Sequence, residues 1–307
     1  MKKILITGAN GFIGYSMKKW LDEKGAGKEY EYYYLDRFKK KIFKDNFYVL
    51  DLFHKNKIHS LLKALRPDLI LDLIGLNDSG DITQYYRINS IARIRLLEAI
   101  LSVKGYYPRV VTLGSAAEYG KMKQNELPVK ETADCHPLNH YGISKLSGTF
   151  TGLFYHKHFG LKIMVARPFN ILGAGMSENF SVPSFIRQIK ELKKGRFPVL
   201  HVGNINTKRD FLHVRDVIMA LFLILEKGQP GQIYNICRGE SISIKTMINT
   251  ILKIMGKDVK IKVDQKRIKK GDVPDSYGDN SRLKKLGWDI TYSIEEALND
   301  MIEDSEI

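Results

Sequence analysis

A strand-like run, Lys2-Ile6, passes at the N-terminus directly into Thr7-Gly8-Ala9-Asn10-Gly11-Phe12-Ile13-Gly14, and few folds accommodate that junction. A strand that enters a glycine-rich turn aims the N-terminus of the next helix beyond the sheet edge. Unpaired N–H groups and the positive end of the helix dipole meet a diphosphate there. Gly8 and Gly11 let the backbone turn and approach phosphates, and Gly14 lets the helix lie close on the strand. Asn10, Phe12 and Ile13 share the turn and count with the glycines as cofactor-facing candidates. The spacing is G-x-x-G-x-x-G rather than G-x-G-x-x-G, so the glycines alone leave a purely structural turn open. Position argues further. Tyr30-Leu35 reads as a second strand ending in Asp36, 28 residues after Gly8, where a carboxylate would hold an adenosine ribose or else cap a turn.

Further strand-like runs follow at Phe47-Leu50, Leu69-Ile74, Val110-Leu113 and Lys162-Ala166, separated for the most part by helix-period segments at 12–24, 54–65, 83–102 and 141–158. That alternation predicts an α/β fold, a Rossmann-type doubly wound parallel sheet. After Arg167-Pro168-Phe169-Asn170 the pattern changes to polar stretches, an amphipathic run Val182-Lys194 and short helices between basic loops. Val214-Lys227 is apolar enough to pack back on the sheet, and Gln232-Cys237 reads as a strand. The expected division is a dinucleotide-binding domain over 1–170, with 209–237 returning to it, and a smaller, discontinuous C-terminal substrate-binding domain mainly within 171–307.

Tyr-x-x-x-Lys occurs three times, at Tyr15/Lys19, Tyr119/Lys123 and Tyr141/Lys145. Only the last opens a helical segment in which i and i+4 share a face, and only it follows a strand-end serine, Ser115. An ammonium within a few ångströms favours phenolate and lowers a phenol's pKa by ~1–3 units, so Tyr141 is expected to be acidified by Lys145. It would then exchange a proton with a carbonyl or alcohol oxygen that Ser115 holds. Lys145 would also grip a nicotinamide ribose. The three segments together predict hydride chemistry with NAD(H) or NADP(H). Asp36 favours the former, while Arg37 and Lys39-Lys41 could offset its repulsion of a 2′-phosphate.

A chain of 307 residues with 44% hydrophobic and 27% charged content is ordinary for a soluble globular protein. The longest apolar run, Val217-Leu225, is short for a membrane span, and Gly8, Asn10 and Gly11 interrupt any signal-like stretch. Cys135 and Cys237 show no metal-ligand spacing and fit a reducing cytoplasm. A net charge of +15 accompanies no nucleic-acid-binding motif. It reads as a solvated lysine-rich surface or as steering of a polyanionic small substrate. No metal, membrane or nucleic-acid partner is expected.

These residues resemble the extended short-chain dehydrogenase/reductase family of nucleotide-sugar epimerases, dehydratases and reductases, nearly end to end. The resemblance implies that Asp51-Leu52 contacts adenine, that Leu73-Ile74-Gly75 lines the cofactor and that Asn89 supports the site. Arg167-Pro168-Phe169-Asn170 is similar to the family's R-P-x-N turn, which implies Arg167 at the cofactor and an asparagine that reaches the substrate diphosphate. Arg209-Asp210-Phe211-Leu212-His213-Val214-Arg215-Asp216 is similar to its R-D-F-x-H-V-x-D block, whose arginine grips that diphosphate. The family's R-x-G-D stands here as Lys269-Lys270-Gly271-Asp272, and the resemblance implies that Lys269 and Asp272 contact the substrate. Within the family, Val202-Phe211 is similar to GDP-mannose 4,6-dehydratases and GDP-4-dehydro-6-deoxy-D-mannose reductases. The dehydratases carry a carboxylate base where this chain has Ala117, and a methyl group abstracts no proton. The resemblance therefore implies reduction of the C4 keto group of a nucleotide-linked 4-keto-6-deoxyhexose, GDP-linked by preference. A C4 epimerase with tightly bound NAD, using the same three groups, is the alternative. The resemblance also implies a homodimer through helices 83–102 and 141–158.

Overall fold

The structure, a computed structural model, describes residues 1–25, 29–191, 199–268 and 272–304. The first part runs β1 (Lys2–Thr7), α1 (Phe12–Lys24), β2 (Tyr30–Asp36), β3 (Phe47–Val49), α2 (Lys55–Leu65) and β4 (Leu69–Asp72). It continues through α3 (Ile82–Tyr86), a π-helical turn (Arg87–Ile91), α4 (Ala92–Ser102), β5 (Arg109–Leu113), α5 (His140–Phe159) and β6 (Lys162–Pro168). Beyond lie β7 (Asn170–Leu172), α6 (Ser181–Lys190), β8 (Val199–Val202), β9 (Lys208–Arg209), β10 (Phe211–His213), α7 (Val214–Lys227) and β11 (Ile233–Ile236). The chain closes with β12 (Ile242–Ser243), α8 (Ile244–Met255), β13 (Lys260–Val263), β14 (Asp275–Ser276), α9 (Ser281–Lys284) and α10 (Ile294–Asp304).

Seven strands form one sheet in the order β11-β6-β5-β4-β1-β2-β3, every pair parallel. The chain starts in the middle at β1, winds outward to β3, then crosses to β4 and winds to the other edge. The reversal between β1 and β4 opens a crevice beyond the strands' carboxyl ends. In β1, Ile4, Leu5 and Ile6 are all fully buried, as expected of a parallel strand covered on both faces. Alternate side chains serve opposite layers. Ile4 and Ile6 meet Met17 and Leu21 of α1 and Val217, Leu221 and Ile224 of α7, whereas Leu5 meets Ile58 and Leu62 of α2 and Leu96 and Ile100 of α4.

A third core collects Leu172, Phe185, Ile186, Leu200, Ile248 and Leu298 from β7, α6, β8, α8 and α10. There β8 pairs in parallel with β13, and β9 lies between β12 and β14. α9 and the residues after it return to the large sheet, where Leu283 and Trp288 join its core. The helix expected over 83–102 is broken by the π turn at 87–91. The wider turn directs both Asn89 and Ser90 at Ser144 of α5, with Asn89 Nδ2 donating to its Oγ at 2.9 Å and Ser90 Oγ to its carbonyl at 3.0 Å.

Candidate active site

The glycine turn is built for close approach. Gly8 has φ +69°, and a Cβ there would lie 2.8 Å from the Ile74 nitrogen. A Cβ on Gly14 would lie 2.7 Å from the Ala9 carbonyl oxygen, so α1 packs on the turn only because that atom is missing. Gly11 is the N-cap of α1 and supplies no side-chain cap, so the first-turn N–H groups face outward. Above them lies a cavity of ≈ 230 Å³ lined by Gly8, Asn10, Gly11, Asp36, Arg37, Asp51, Leu52, Leu73, Ile74 and Gly75. Phe38, Phe53, Ile88 and Ala92 also line it, and no sequence signal marked them. Phe12 and Ile13 turn their side chains onto the sheet core, so as the first two residues of α1 they offer the crevice their backbone N–H groups rather than their side chains.

Asp36 caps the turn and also lines the cavity. Its Oδ2 accepts from the Asn10 N–H at 2.9 Å and its Oδ1 from the Arg37 N–H at 2.7 Å, which ties the end of β2 to the turn. Each carboxylate oxygen keeps a second lone pair toward the cavity for a ribose hydroxyl. The Asn10 side chain donates to the Phe38 carbonyl, while its Oδ1 is buried without a partner. Free amides, an unpaired acceptor and a cradle that a Cβ would fill fit a dinucleotide.

At the neighbouring strand end, Ser115 follows β5, and Asn139 caps α5 by accepting from the Gly142 N–H at 2.8 Å. A Cβ on Gly142 would lie 2.5 Å from the Ala117 carbonyl oxygen, so the helix start rests directly on the serine turn. This contact brings the half-buried Tyr141 beside the Ser115 side chain. Lys145, one turn on and almost wholly buried, aims its Nζ at Gly75, 3.5 Å from where a Cβ would stand. Asn89 locks the opposite wall. Its Oδ1 accepts from the Leu76 N–H at 2.8 Å and its Nδ2 donates to the Leu76 carbonyl at 2.9 Å, so it supports the cavity from beneath.

The electrostatics correct the expectation of an acidified phenol. Burial raises Tyr141 above the ordinary phenol value, the Ser115 hydrogen bond pulls it down, and the Glu118 and Tyr85 charges push it up again. The group that is shifted toward neutrality is Lys145, lowered from 10.5 to about 7 by burial and then by Arg93, against the opposing pull of Glu118 and Asp72. Arg93 is itself buried between Asp72 (Nε to Oδ2, 3.0 Å) and the Leu113 carbonyl (2.9 Å). Spacing alone pairs Tyr141 with Lys145. The buried Arg93, Asp72 and Glu118 come from three other segments.

Three expected substrate contacts meet near one another. The Arg209 guanidinium donates to Asp272 Oδ1 at 2.6 Å and to the Val273 carbonyl at 2.6 Å, so its fork is partly committed. Asn170 donates through Nδ2 to the Asp210 carbonyl at 2.9 Å, and Asp210 accepts the N–H groups of Arg238, Gly239 and Gly278 at 2.7–3.4 Å. Lys269 lies outside the described residues. Arg167, expected at the cofactor, is enclosed instead. It pairs with Glu118 at 2.7 Å and lies over the Tyr119 ring at 4.7 Å, because its strand-end side chain points beneath the sheet's rim.

Comparison with known proteins agrees with this geometry. A protein-family model described as GDP-mannose 4,6 dehydratase matches residues 5–301. The chain is 30% identical over 262 residues to a GDP-6-deoxy-D-mannose reductase of Pseudomonas aeruginosa, covering 83% of this chain and 86% of the relative. It is 29% identical over 300 residues to a GDP-6-deoxy-D-talose 4-dehydrogenase of Aggregatibacter actinomycetemcomitans, covering 96% and 95%. A solved structure of RMD from Pseudomonas aeruginosa complexed with NADPH superposes with a TM-score of 0.87 at 28% identity, covering 100% of both chains. Among the described residues no helix is long and apolar enough to cross a membrane, and no cluster of side chains suits a metal ion.

Proposed function

This chain belongs to the GDP-mannose 4,6-dehydratase family, and within it we propose a nucleotide-sugar 4-ketoreductase rather than a dehydratase. The substrate assigned is a nucleotide-linked 4-keto-6-deoxyhexose, with GDP as the preferred nucleotide. The bound nicotinamide, NADH or NADPH, supplies hydride to the sugar's C4. Tyr141 gives its proton to the carbonyl oxygen, Ser115 donates a hydrogen bond to the same oxygen, and Lys145 holds the ribose next to Gly75. Asn170, Arg209, Lys269 and Asp272 are assigned to the diphosphate side, at the edge of a substrate lobe formed by 171–208 and 238–307.

One observation carries the choice of reductase. Ser115 and Tyr141 meet beside the dinucleotide cleft, but the position of a dehydratase base is Ala117. The neighbouring carboxylate, Glu118, is fully buried and faces Arg167 and Thr149, so it reaches no sugar. The two curated relatives named above act as reductase or dehydrogenase on GDP-6-deoxyhexoses, which supports the same reading.

The test is incubation with a panel of GDP-, UDP- and dTDP-linked 4-keto-6-deoxy sugars and NADH or NADPH, with products identified by NMR. Reduced cofactor consumed in step with a GDP-6-deoxyhexose supports the proposal. Interconversion of 4-hydroxy epimers without net cofactor use identifies an epimerase instead. The enzyme is proposed to act in the cytoplasm, consistent with its two free cysteines, and as a homodimer through α4 and α5.

A further inference from the structure

A carboxylate that touches neither cleft nor solvent lies beneath the reactive pair. Glu118 is fully buried, and its Oε1 accepts from the Ser115 N–H at 2.7 Å and from the Thr149 hydroxyl at 3.0 Å. Its Oε2 accepts from Arg167 Nε at 2.7 Å. Ser115 stands just past β5, and Thr149 lies on α5 about two turns beyond Tyr141. A single oxygen thus joins the two elements that carry the hydroxyl and the phenol. The carboxylate also occupies the space beside Gly114, where a Cβ would lie 2.5 Å from Oε1. Arg167 in turn stacks on Tyr119, whose hydroxyl donates to Asn235 Oδ1 on β11 at 2.7 Å, so the anchor extends across the sheet to its edge strand.

Stability is a poor reason for such a pair. Desolvating two charges costs about as much as their attraction returns, and apolar residues of similar volume often serve as well. An apolar pair would not hold a backbone N–H in a fixed direction. Neither would it hold that N–H and a helix hydroxyl on the same atom.

We propose that Glu118 is a positioning residue that sets the separation of the Ser115 hydroxyl from the Tyr141 phenol by holding Ser115 and Thr149 on one carboxylate oxygen. It rests on the functional reading above only in that Ser115 and Tyr141 are taken as catalytic. Glu118 touches no substrate and acts only through the separation of Ser115 from Tyr141.

The test compares two charge-matched double variants. Glu118→Gln with Arg167→Met keeps an acceptor oxygen for Ser115 and Thr149, whereas Glu118→Met with Arg167→Met removes it. Each is made also in a Ser115→Ala background, and kcat, KM and the titration of a carbon-labelled Tyr141 ring are followed. The Gln variant is expected within about 3-fold of wild-type kcat, and the Met variant about 10–100-fold below it with KM unchanged. The Tyr141 ring should titrate at higher pH in the Met variant than in the Gln variant, because the Ser115 hydrogen bond that favours phenolate slackens. In the Ser115→Ala background the Met variant should cost nothing more, since coupled residues are non-additive.

An equal loss in both backgrounds overturns the proposal, as does a Met variant with unchanged kcat and Tyr141 titration. Thr149→Val leaves the ion pair in place, so it probes the same link should the Met variant fail to fold. It is expected to lower kcat about 3-fold, and no change in kcat or in the Tyr141 titration overturns the proposal. If the wild type reduces no nucleotide-linked keto sugar, the functional reading falls by itself, and the Tyr141 titration still decides the role of Glu118.

Discussion

Gly142 sits so close to the Ala117 carbonyl that an added Cβ would lie 2.5 Å from its oxygen and 2.9 Å from Pro137 Cβ. Both obstacles are backbone or ring atoms that cannot swing aside. Gly142→Ala must therefore lift the first turn of α5, and Tyr141 with it, from the Ser115 turn. Misplacement by about 1 Å costs on the order of 100-fold in rate, so kcat should fall by that much. Melting should show a loss of about 1–3 kcal/mol from overpacking, with cofactor affinity little changed. Steady-state kinetics and a thermal scan of the same preparation check both.

Tyr141→Phe removes a hydroxyl and leaves the ring against Tyr85, 6.3 Å between centroids. Its part as proton donor predicts loss of turnover by about 10²–10⁴-fold. Cofactor binding, measured by fluorescence titration of NADPH, should stay within a few-fold of wild type, since the cradle is untouched. Retained turnover would take the phenol out of the mechanism.

Lys145 gives the fold a distinctive pH dependence. Its ordinary value of 10.5 falls to about 7 in the folded cofactor-free protein. Between those values the unfolded chain keeps a proton that the folded side chain has released. Stability therefore rises as pH increases from about 7 to 10.5, is lost as pH falls back through that window, and is insensitive to this group below it. The slope from one such group reaches at most about 1.4 kcal/mol per pH unit. Urea unfolding of wild type and Lys145→Met across this range should show the difference between them shrinking or reversing with rising pH. A difference that does not change with pH would mean that Lys145 keeps its proton throughout.

The legible parts of the site are those whose physics is local. A glycine turn after an apolar strand, and a phenol one helical turn from an ammonium, are each visible within thirteen residues. Asp36 could be placed because β2 runs parallel to β1 and ends level with the turn, pairing Leu35 with Thr7. Other features depend on contacts that no window contains. Arg93 reaches Asp72 across 21 residues, and Arg167 reaches Glu118 across 49. The reversal in the expected titration of Tyr141 and Lys145 follows from burial by those distant elements. One sequence clue to them was present: Gly142, Gly148 and Gly152 recur within α5 although glycine costs about 1 kcal/mol in a helix interior. Added Cβ atoms there would meet Ala117 O, Arg93 Nη1 and Ile163 Cγ2 at 2.5, 2.6 and 3.3 Å.

Gly8 and Gly160 separate conformational strain from close approach. Their φ values are +69° and +70°, but only Gly8 faces backbone within 3 Å, and Gly160 has nothing within 4 Å. Gly160→Ala should cost about 1 kcal/mol of stability through left-handed strain, with NADPH affinity unchanged. Gly8→Ala should add a clash with Ile74, push the loop after β4 into the cavity and weaken NADPH binding at least about 10-fold. Calorimetric titration of both variants checks the contrast.

Ile143, Phe150 and Phe154 are 40%, 59% and 50% exposed on α5, and Ile91 is 40% exposed where the π turn passes into α4. Positions 143, 150 and 154 recur at helical spacing and form one stripe, while soluble proteins seldom leave such a stripe uncovered. A two-fold partner presenting the same stripe would bury it, since an isologous interface is self-complementary. Phe150→Glu with Phe154→Glu places like charges opposite each other across that axis. Light scattering should then report a monomer in place of a dimer. The same substitutions lie on the face of α5 away from Lys145, so NADPH binding should survive them. A wild type that scatters as a monomer at micromolar concentration would rule the dimer out, and a variant that remains dimeric would move the interface to another face.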